Sequence, residues 1–501
     1  MAQWQVALDL NAHNGGEQPI FIRLARAISD DVRRGRLKPG DALPGSRSLA
    51  RALGVHRNTV LAAYAELAAE GWIKTEAAAR TFVSHALPDV EAHGHDGARS
   101  RRRATPATPA SVGFDLPPRR DDREIKEARR RMEPPAAHVL AMSGGIPDVR
   151  LVPSAPLARA YRRALKRHGA ELLGYGDTRG HARLRRALGD MLSALRGVAA
   201  GVESLMVTRG SQLALDLVSR ALLAPGDVVA VEALGYRPAW SALTAAGARL
   251  VPVPVDEHGL DVGALEALAA REKLRAIYVT PHHQYPTTVM LDAGRRLRLY
   301  ELARARRIAI IEDDYDFEFH YEGRPVLPLA AGDRHGVVVY VGTLSKVLAP
   351  SLRLGFIVAP PSLIERLAEV RVSIDRQGDQ VVECAVAELI EDGELQRHVR
   401  RMRRIYQARR DALVARLHKR LGGALRFDVP AGGMALWAHA EGGIDVDAWS
   451  ARALARGVLF TTAARYAFDG RARPSLRLGF AALDESELDE GVRLMALALR
   501  G

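Results

Sequence analysis

Residues 86–137 cannot build a core, and this divides the 501-residue chain. They hold Pro88, Pro106, Pro109, Pro117, Pro118, Pro134 and Pro135, the cluster Arg99, Arg101, Arg102 and Arg103, and few large apolar side chains. The surface such a stretch buries does not offset the entropy of ordering it. Folding is therefore expected on either side: a module over 10–85, a flexible, basic, proline-rich linker over 86–138, and a body over 139–501. Lys and Arg (72) exceed Asp and Glu (59) to give a net charge of +13. That surplus suits a polyanionic partner, foremost nucleic acid. Apolar residues at 48% exclude a wholly disordered chain, and 26% charged residues exclude a membrane bundle. No run nears the ~18–20 apolar residues of a spanning helix, and MAQWQVALDLNAHNGG lacks the basic-then-apolar order of a secretion signal. The single cysteine, Cys384, can make neither an internal disulfide nor a thiolate cage. A cytoplasmic, multidomain, regulatory or metabolic protein is expected.

Ahead of the linker the pattern is helical. Ile20, Leu24, Ala27, Ile28 and Val32 recur at helical spacing up to Gly35. After a turn at Pro39-Gly40, Ser46 is placed to N-cap a second helix through Leu53. Gly54-Val55 turns the chain into a third helix, from about His56 to Glu70, and Trp72–Val83 alternates enough for a hairpin. Three helices and a hairpin make a winged helix-turn-helix. That geometry presents the start of the third helix to base edges. His56, Arg57, Asn58 and Thr59 stand there, with Arg47 opening the second helix.

Beyond the linker, strands alternate with helices. Ser204–Thr208, Val228–Val231, Leu250–Val255, Ala276–Thr280, Ile308–Ile311 and Val337–Val341 are rich in Val, Ile and Leu, as strands covered on both faces are. Ser211–Leu223 and Ala293–Arg306 are long enough for crossover helices. A largely parallel α/β sheet is expected, followed from about Arg376 by a smaller helix-rich domain. Such sheets bind ligands at the carboxyl edge of their strands. Lys346 follows one strand directly, and lysine is the side chain that condenses with carbonyl cofactors. Glu312-Asp313-Asp314-Tyr315 ends another; acids there can pair with a pyridine nitrogen, hold a metal or simply be solvated. Gly210-Ser211-Gln212 opens a helix, a natural phosphate seat. Thr343, Ser345 and Arg353 add phosphate donors, and Tyr236 offers an aromatic face.

RGRLKPGDALP, SRSLARALGV and RNTVLAAYAEL resemble the GntR family of bacterial regulators. The wing departs from that family, with Glu76-Ala77-Ala78-Ala79-Arg80 standing where it places glycines. From residue 139 the chain resembles fold-type I aminotransferases, which use pyridoxal 5′-phosphate. Together with EDDYDFEF, GTLSKVLAPSLRLG and TPHHQYPT, the two halves resemble the MocR/GabR subfamily, a GntR-type reader joined to an aminotransferase-like body. The resemblance implies that Lys346 forms the Schiff base, Asp313 binds the pyridine nitrogen and Tyr315 the 3′-oxygen. Tyr236 would stack on the ring, while Ser211, Gln212, Thr343, Ser345 and Arg353 hold the phosphate. Tyr285 stands where ordinary aminotransferases place a ring-binding Asn, and counts with the cofactor residues. Arg477, in PSLRLGFAAL, would clamp an effector's carboxylate, and Tyr175 would reach the partner's phosphate across a homodimer.

The leading functional reading is a transcriptional regulator that binds double-stranded promoter half-sites and senses pyridoxal phosphate, or an amine or amino-acid effector through it. Physiological turnover is not expected, although a residual half-reaction is compatible with the residues. The alternative is a working aminotransferase with an accessory DNA-binding domain. A cofactor-free body fits poorly with intact Lys346, Asp313 and Arg353. His93, His95, His282 and His283 read as loop histidines, and no metal is expected.

Overall fold

The computed structural model describes residues 19–76, 80–87 and 138–500. The 86–138 linker, apart from its ends, and the wing tip 77–79 lie outside them. The chain divides into two units, residues 1–128 and 129–501.

In the first unit, helix α1 (Ile20–Arg33) turns Leu24, Ala27, Ile28 and Val32 inward. Strand β1 (Ala42–Leu43), helix α2 (Ser46–Leu53), helix α3 (Arg57–Ala69) and the hairpin β2 (Ile73–Glu76) and β3 (Arg80–Val83) follow. The antiparallel sheet runs β1-β3-β2. Leu49, Val60, Ala63, Leu67 and Trp72 join the α1 face in one core. Gly54, at φ 64°, caps α2 in the left-handed conformation, and a glycine adopts it without the Cβ clash other residues meet. Ser46 does not cap α2 as expected. Gly45 holds that position without a side-chain bond, and Ser46 Oγ instead accepts from Arg57 Nε at 3.3 Å. The N-cap of α3 is His56, whose Nδ1 accepts from the Asn58 amide at 3.3 Å.

The second unit is built on a seven-stranded sheet. Its strands are β4 (Leu205–Thr208), β5 (Val228–Glu232), β6 (Arg249–Val253), β7 (Leu274–Val279), β8 (Ala309–Asp314), β9 (Val338–Thr343) and β10 (Gly355–Val358). Their spatial order is β4-β10-β9-β8-β7-β5-β6. All six expected runs are strands. The seventh, β10, is antiparallel to both its neighbours and was not read from the sequence. Its register sets Gly355 opposite both Thr343 and Thr208. The start of β10 therefore lies at the edge where the parallel strands end. Buried cores flank this sheet, one around Leu217, Trp240 and Ile357, another around Leu265, Leu299 and Ile310.

The expected C-terminal subdomain has its own sheet, comprising 425–426, 435–440, 475–479 and 461–462 in that order. Its core includes Trp449, Phe460 and Phe480. It is not one continuous tail, however. Leu140–Ala141, from the start of the body, pairs in parallel with Val458–Leu459. Helix Gln380–Glu391 instead packs Ala385 and Leu389 against Ala160, and Val386 against Leu188 and Leu192. An apolar face turned toward its nearest uncovered apolar partner decides the packing, whatever the sequence position.

Candidate active site and nucleic-acid interface

The carboxyl edge of the sheet gathers the predicted residues. One pocket is lined by Ser211, Gln212, Tyr236, Tyr285, Asp313, Tyr315, Thr343, Ser345, Lys346 and Arg353, together with Gly144, Gly145, Tyr278, Thr280 and Pro350. Its floor comes from β8. Strand alternation gives the three consecutive acids different surroundings. Glu312 accepts from the Leu329 and Ala330 amides at 2.7 and 2.9 Å. Asp314 accepts from Tyr340 Oη at 2.7 Å and lies 3.5 Å from the buried Arg196. Asp313 alone of the three lines the pocket. Its Oδ2 accepts from Tyr278 Oη at 2.7 Å, while its buried Oδ1 has no hydrogen-bond partner among the described residues. Burial raises this carboxyl to about 6 against the Tyr278 bond, which lowers it.

Lys346 sits just beyond β9. Burial, then the nearby Arg477 cation, lowers its amine to about 8. The unprotonated form of that amine, a nucleophile, is therefore appreciably populated near neutrality.

The end of the pocket beside Arg353 is shaped by two glycines. Helix Gly210–Leu222 begins directly after β4, and Gly210 has φ +80°. A Cβ there would stand 3.1–3.3 Å from the Arg353 guanidinium. A Cβ on Gly355 would lie 2.6 Å from Gly210 C and 2.8 Å from Ser211 N. Strand and helix start approach so closely only because both residues lack side chains. The helix N-terminus, the positive end of its dipole, thus lines the pocket together with Arg353 and Ser345, an arrangement that suits an anion. Thr343 has a different bond from the one expected. Its Oγ1 donates to Leu354 O at 3.2 Å and accepts the Ser345 amide at 3.1 Å, orienting the Ser345 backbone. Gln212 Nε2 donates to Pro238 O at 3.0 Å, tying this helix start to the Tyr236 loop.

Aromatic rings wall the other side. Tyr285 meets Tyr236, Tyr315 and Tyr466 edge-on, at centroid distances of 5.4, 5.8 and 5.4 Å. Arg477 lies 4.3 Å over the Tyr285 ring. It is fully buried, with the Tyr315 hydroxyl beside it and no carboxylate ion-paired to it among the described residues. A buried cation without a counter-charge is costly unless a ligand anion meets it. The Tyr285 loop is fixed from below. Buried Glu232 accepts from Thr280 Oγ1 at 2.7 Å, and that hydroxyl accepts the Tyr285 amide at 2.9 Å. Tyr315 Oη donates to His283 O at 3.0 Å.

Tyr175 is not part of this pocket. It is 82% exposed, with Arg376 4.3 Å from its ring. Sequence reasoning missed Tyr278, Tyr466 and the Gly144-Gly145 pair. Gly-Gly at the start of the body was the available signal: a Cβ on Gly144 would stand 2.6 Å from Arg477 Nε.

An acid aimed at a ring nitrogen, a buried amine, an anion seat and flanking rings together fit pyridoxal phosphate.

On the first unit, Arg47, His56, Arg57 and Asn58 are exposed and Thr59 is half-buried, all at the starts of α2 and α3. The Arg57–Ser46 bond joins those two starts. Tyr64 Oη, donating to Pro44 O at 2.7 Å, fixes α3 against the approach to α2.

Comparison with known proteins agrees with both halves. Residues 22–83 match bacterial regulatory proteins of the gntR family, and residues 139–494 match aminotransferase class I and II. The probable rhizopine catabolism regulatory protein MocR of Rhizobium meliloti is 33% identical over 96% of this chain and 94% of its own length. The pyridoxine biosynthesis regulator PdxR of Corynebacterium glutamicum is 33% identical over 80% of this chain and 79% of its own. Among solved structures, the α-aminoadipate aminotransferase LysN of Thermus thermophilus, complexed with N-(5′-phosphopyridoxyl)-L-leucine, superposes with a TM-score of 0.68. It is 31% identical and covers 75% of this chain and 97% of LysN. The chain belongs to the MocR-type transcriptional regulators, in which a gntR-type helix-turn-helix is joined to a class I and II aminotransferase body whose cofactor is pyridoxal 5′-phosphate.

Proposed function

We propose that this regulator responds to an amino acid, recognised jointly by the cofactor and by Arg477. The observation that carries this is the Arg477 guanidinium, fully buried over the Tyr285 ring, with the Tyr315 hydroxyl beside it and no carboxylate ion-paired to it among the described residues. Its planar fork suits a carboxylate held by two parallel bonds. When bound, the cofactor supplies an aldehyde that captures primary amines and a ring that withdraws electrons.

The chain's residues divide the remaining work. Asp313, with its free buried Oδ1, would accept from the pyridine N–H, and Tyr315 would serve the ring oxygen. Ser211, Gln212, Ser345 and Arg353 seat the phosphate, with Thr343 holding the Ser345 amide in place. Tyr236 and Tyr285 flank the ring. The Lys346 amine, lowered to about 8, would hold the cofactor's carbonyl carbon covalently. Tyr175, exposed on the body, reaches the second site of a homodimer. Two readers then engage DNA half-sites through Arg47, His56, Arg57, Asn58 and Thr59. The amino acid changes DNA binding to the extent that it prefers one arrangement of the dimer. No helix among the described residues is long and apolar enough to cross a membrane, and the DNA partner puts the protein in the cytoplasm.

The test titrates the purified holoprotein with amino acids, following cofactor absorbance and promoter affinity together. Both are expected to change at one midpoint, without steady keto-acid release, and Arg477→Gln should raise that midpoint at least about tenfold, the loss of a charged bidentate contact. Promoter affinity unaffected by cofactor and amino acid overturns the proposal. Sustained keto-acid production favours the aminotransferase reading instead.

A further inference from the structure

TPHHQYPT contributes two histidines that the cofactor site does not use; they lie on a loop, as the sequence suggested, and are buried there. His282 and His283 are 2% and 3% exposed, and they meet His320, 5% exposed, from the EDDYDFEFHY segment. One nitrogen from each ring lies within 4.8 Å of the others. Ring centroids are 4.4, 6.1 and 6.4 Å apart. Three imidazoles on one tetrahedral ion have centroids about 5 Å apart, with donor nitrogens about 3.3 Å apart for metal–nitrogen bonds of about 2.0–2.1 Å. Shifts of about 1 Å per ring close the set.

Two further observations point the rings at a ligand. The first is unsatisfied buried nitrogen. Both nitrogens of His282, Nε2 of His283 and Nδ1 of His320 are buried without a hydrogen-bond partner among the described residues. Imidazole nitrogens buried in this way normally find a donor or acceptor. The second is orientation. His283 Nδ1 and the buried Asp316 Oδ1 are 2.7 Å apart. That contact engages Nδ1 and leaves Nε2 as the ring nitrogen without a partner among the described residues. A carboxylate behind a histidine is the arrangement that orients metal-binding imidazoles. Gly432, bridged to His320, keeps this position open, since a Cβ there would stand 2.6 Å from His283 Nε2.

We propose that His282, His283 and His320 bind one borderline divalent transition-metal ion of the Zn²⁺ class, with Asp316 orienting His283 and a fourth position open to water. An all-imidazole donor set selects such ions and excludes Ca²⁺ and Mg²⁺, which require oxygen ligands. The ion joins the loop that carries Tyr285 to the turn that follows Tyr315. Neither the ligands nor the test depends on the amino-acid reading above.

The test uses the full-length, cofactor-loaded protein after dialysis against a chelator. Co²⁺ is titrated as a coloured Zn²⁺ substitute, with Zn²⁺ competition and metal content measured after equilibrium dialysis. One ion per chain is expected. His320→Asn should weaken binding at least ~10-fold, Asp316→Asn by ~10–100-fold, and the double variant His93→Ala/His95→Ala not at all. His282→Gln provides a second ligand variant, and an unchanged cofactor spectrum identifies a folded one. Failure to bind Co²⁺ or Zn²⁺ overturns the proposal. So does undiminished binding in a folded His320→Asn or His282→Gln protein, or loss of binding in the His93/His95 variant.

Discussion

Asp313, which we propose meets the pyridine nitrogen, has surroundings that set a pH dependence. One oxygen is held by Tyr278, and burial raises the acid to about 6. Only the carboxylate accepts from a protonated ring nitrogen. Below about pH 6 a proton must therefore leave first, so affinity for pyridoxal phosphate falls by up to about tenfold per pH unit and levels off above that pH. Asp313→Asn removes this dependence and weakens binding by about 10–100-fold, equivalent to a charged hydrogen bond of about 1.5–3 kcal/mol. Equilibrium dialysis from about pH 5 to about pH 8 checks both statements, and a flat wild-type profile contradicts them. Lys346 has the opposite charge and a lowered pKa of about 8. Only its neutral form attacks a carbonyl, so covalent capture accelerates with rising pH and flattens above about 8. Stopped-flow absorbance measures that rate, and Lys346→Ala leaves reversible binding but no adduct that survives reduction.

Single elements make separate predictions. Gly355→Ala places a methyl group 2.6 Å from Gly210 C, forcing β10 away from the helix start proposed to seat the phosphate. A destabilisation of about 1–3 kcal/mol, with weaker cofactor binding, is expected in thermal melts and titrations. In the reader, Tyr64→Phe removes the bond to Pro44 O and costs about 0.5–1.5 kcal/mol, measured by denaturant unfolding. These two sites also mark what the sequence could reveal. The six Val/Ile-rich runs were legible because strands covered on both faces must be apolar throughout. β10 was not, because four residues beside the Lys346 loop are too short to show a period. Ser46 looked like a cap because its side chain suits one, but its hydroxyl is bonded to Arg57. The pocket residues that directly follow strands were found by position. Tyr278 was hidden within a strand, and Tyr466 lies far along the chain from the rings it joins. His320 belongs to a different motif from His282 and His283, so the triad exists only after folding.

At the level of the whole molecule, the two units respond to different ligands. Pyridoxal phosphate at about 100 times its dissociation constant adds about 2.7 kcal/mol to the body, so calorimetry should show the body's transition rising while the reader's stays fixed. DNA affinity, in contrast, follows ionic strength. If Arg47 or Arg57 contacts phosphate, its change to Ala lowers the log–log salt slope by about 0.9. If it reads a base, the slope stays and sequence preference relaxes. Binding titrations at several salt concentrations separate the two cases. The pocket and the rings around it come from two sources. Asp313, Lys346 and the proposed phosphate seat come from the edge of the large sheet, with neighbouring Asp314 fixed by Arg196 and Tyr340. Tyr466 and Trp437, whose rings lie 6.0 Å apart, come instead from the C-terminal sheet and its loops, and reach the same group of side chains through Tyr285. Substitutions at positions 437 and 466, neither of which lines the pocket, are therefore felt there through the Tyr285 ring, so changes in the C-terminal sheet can retune the site without touching Asp313, Lys346 or Arg353.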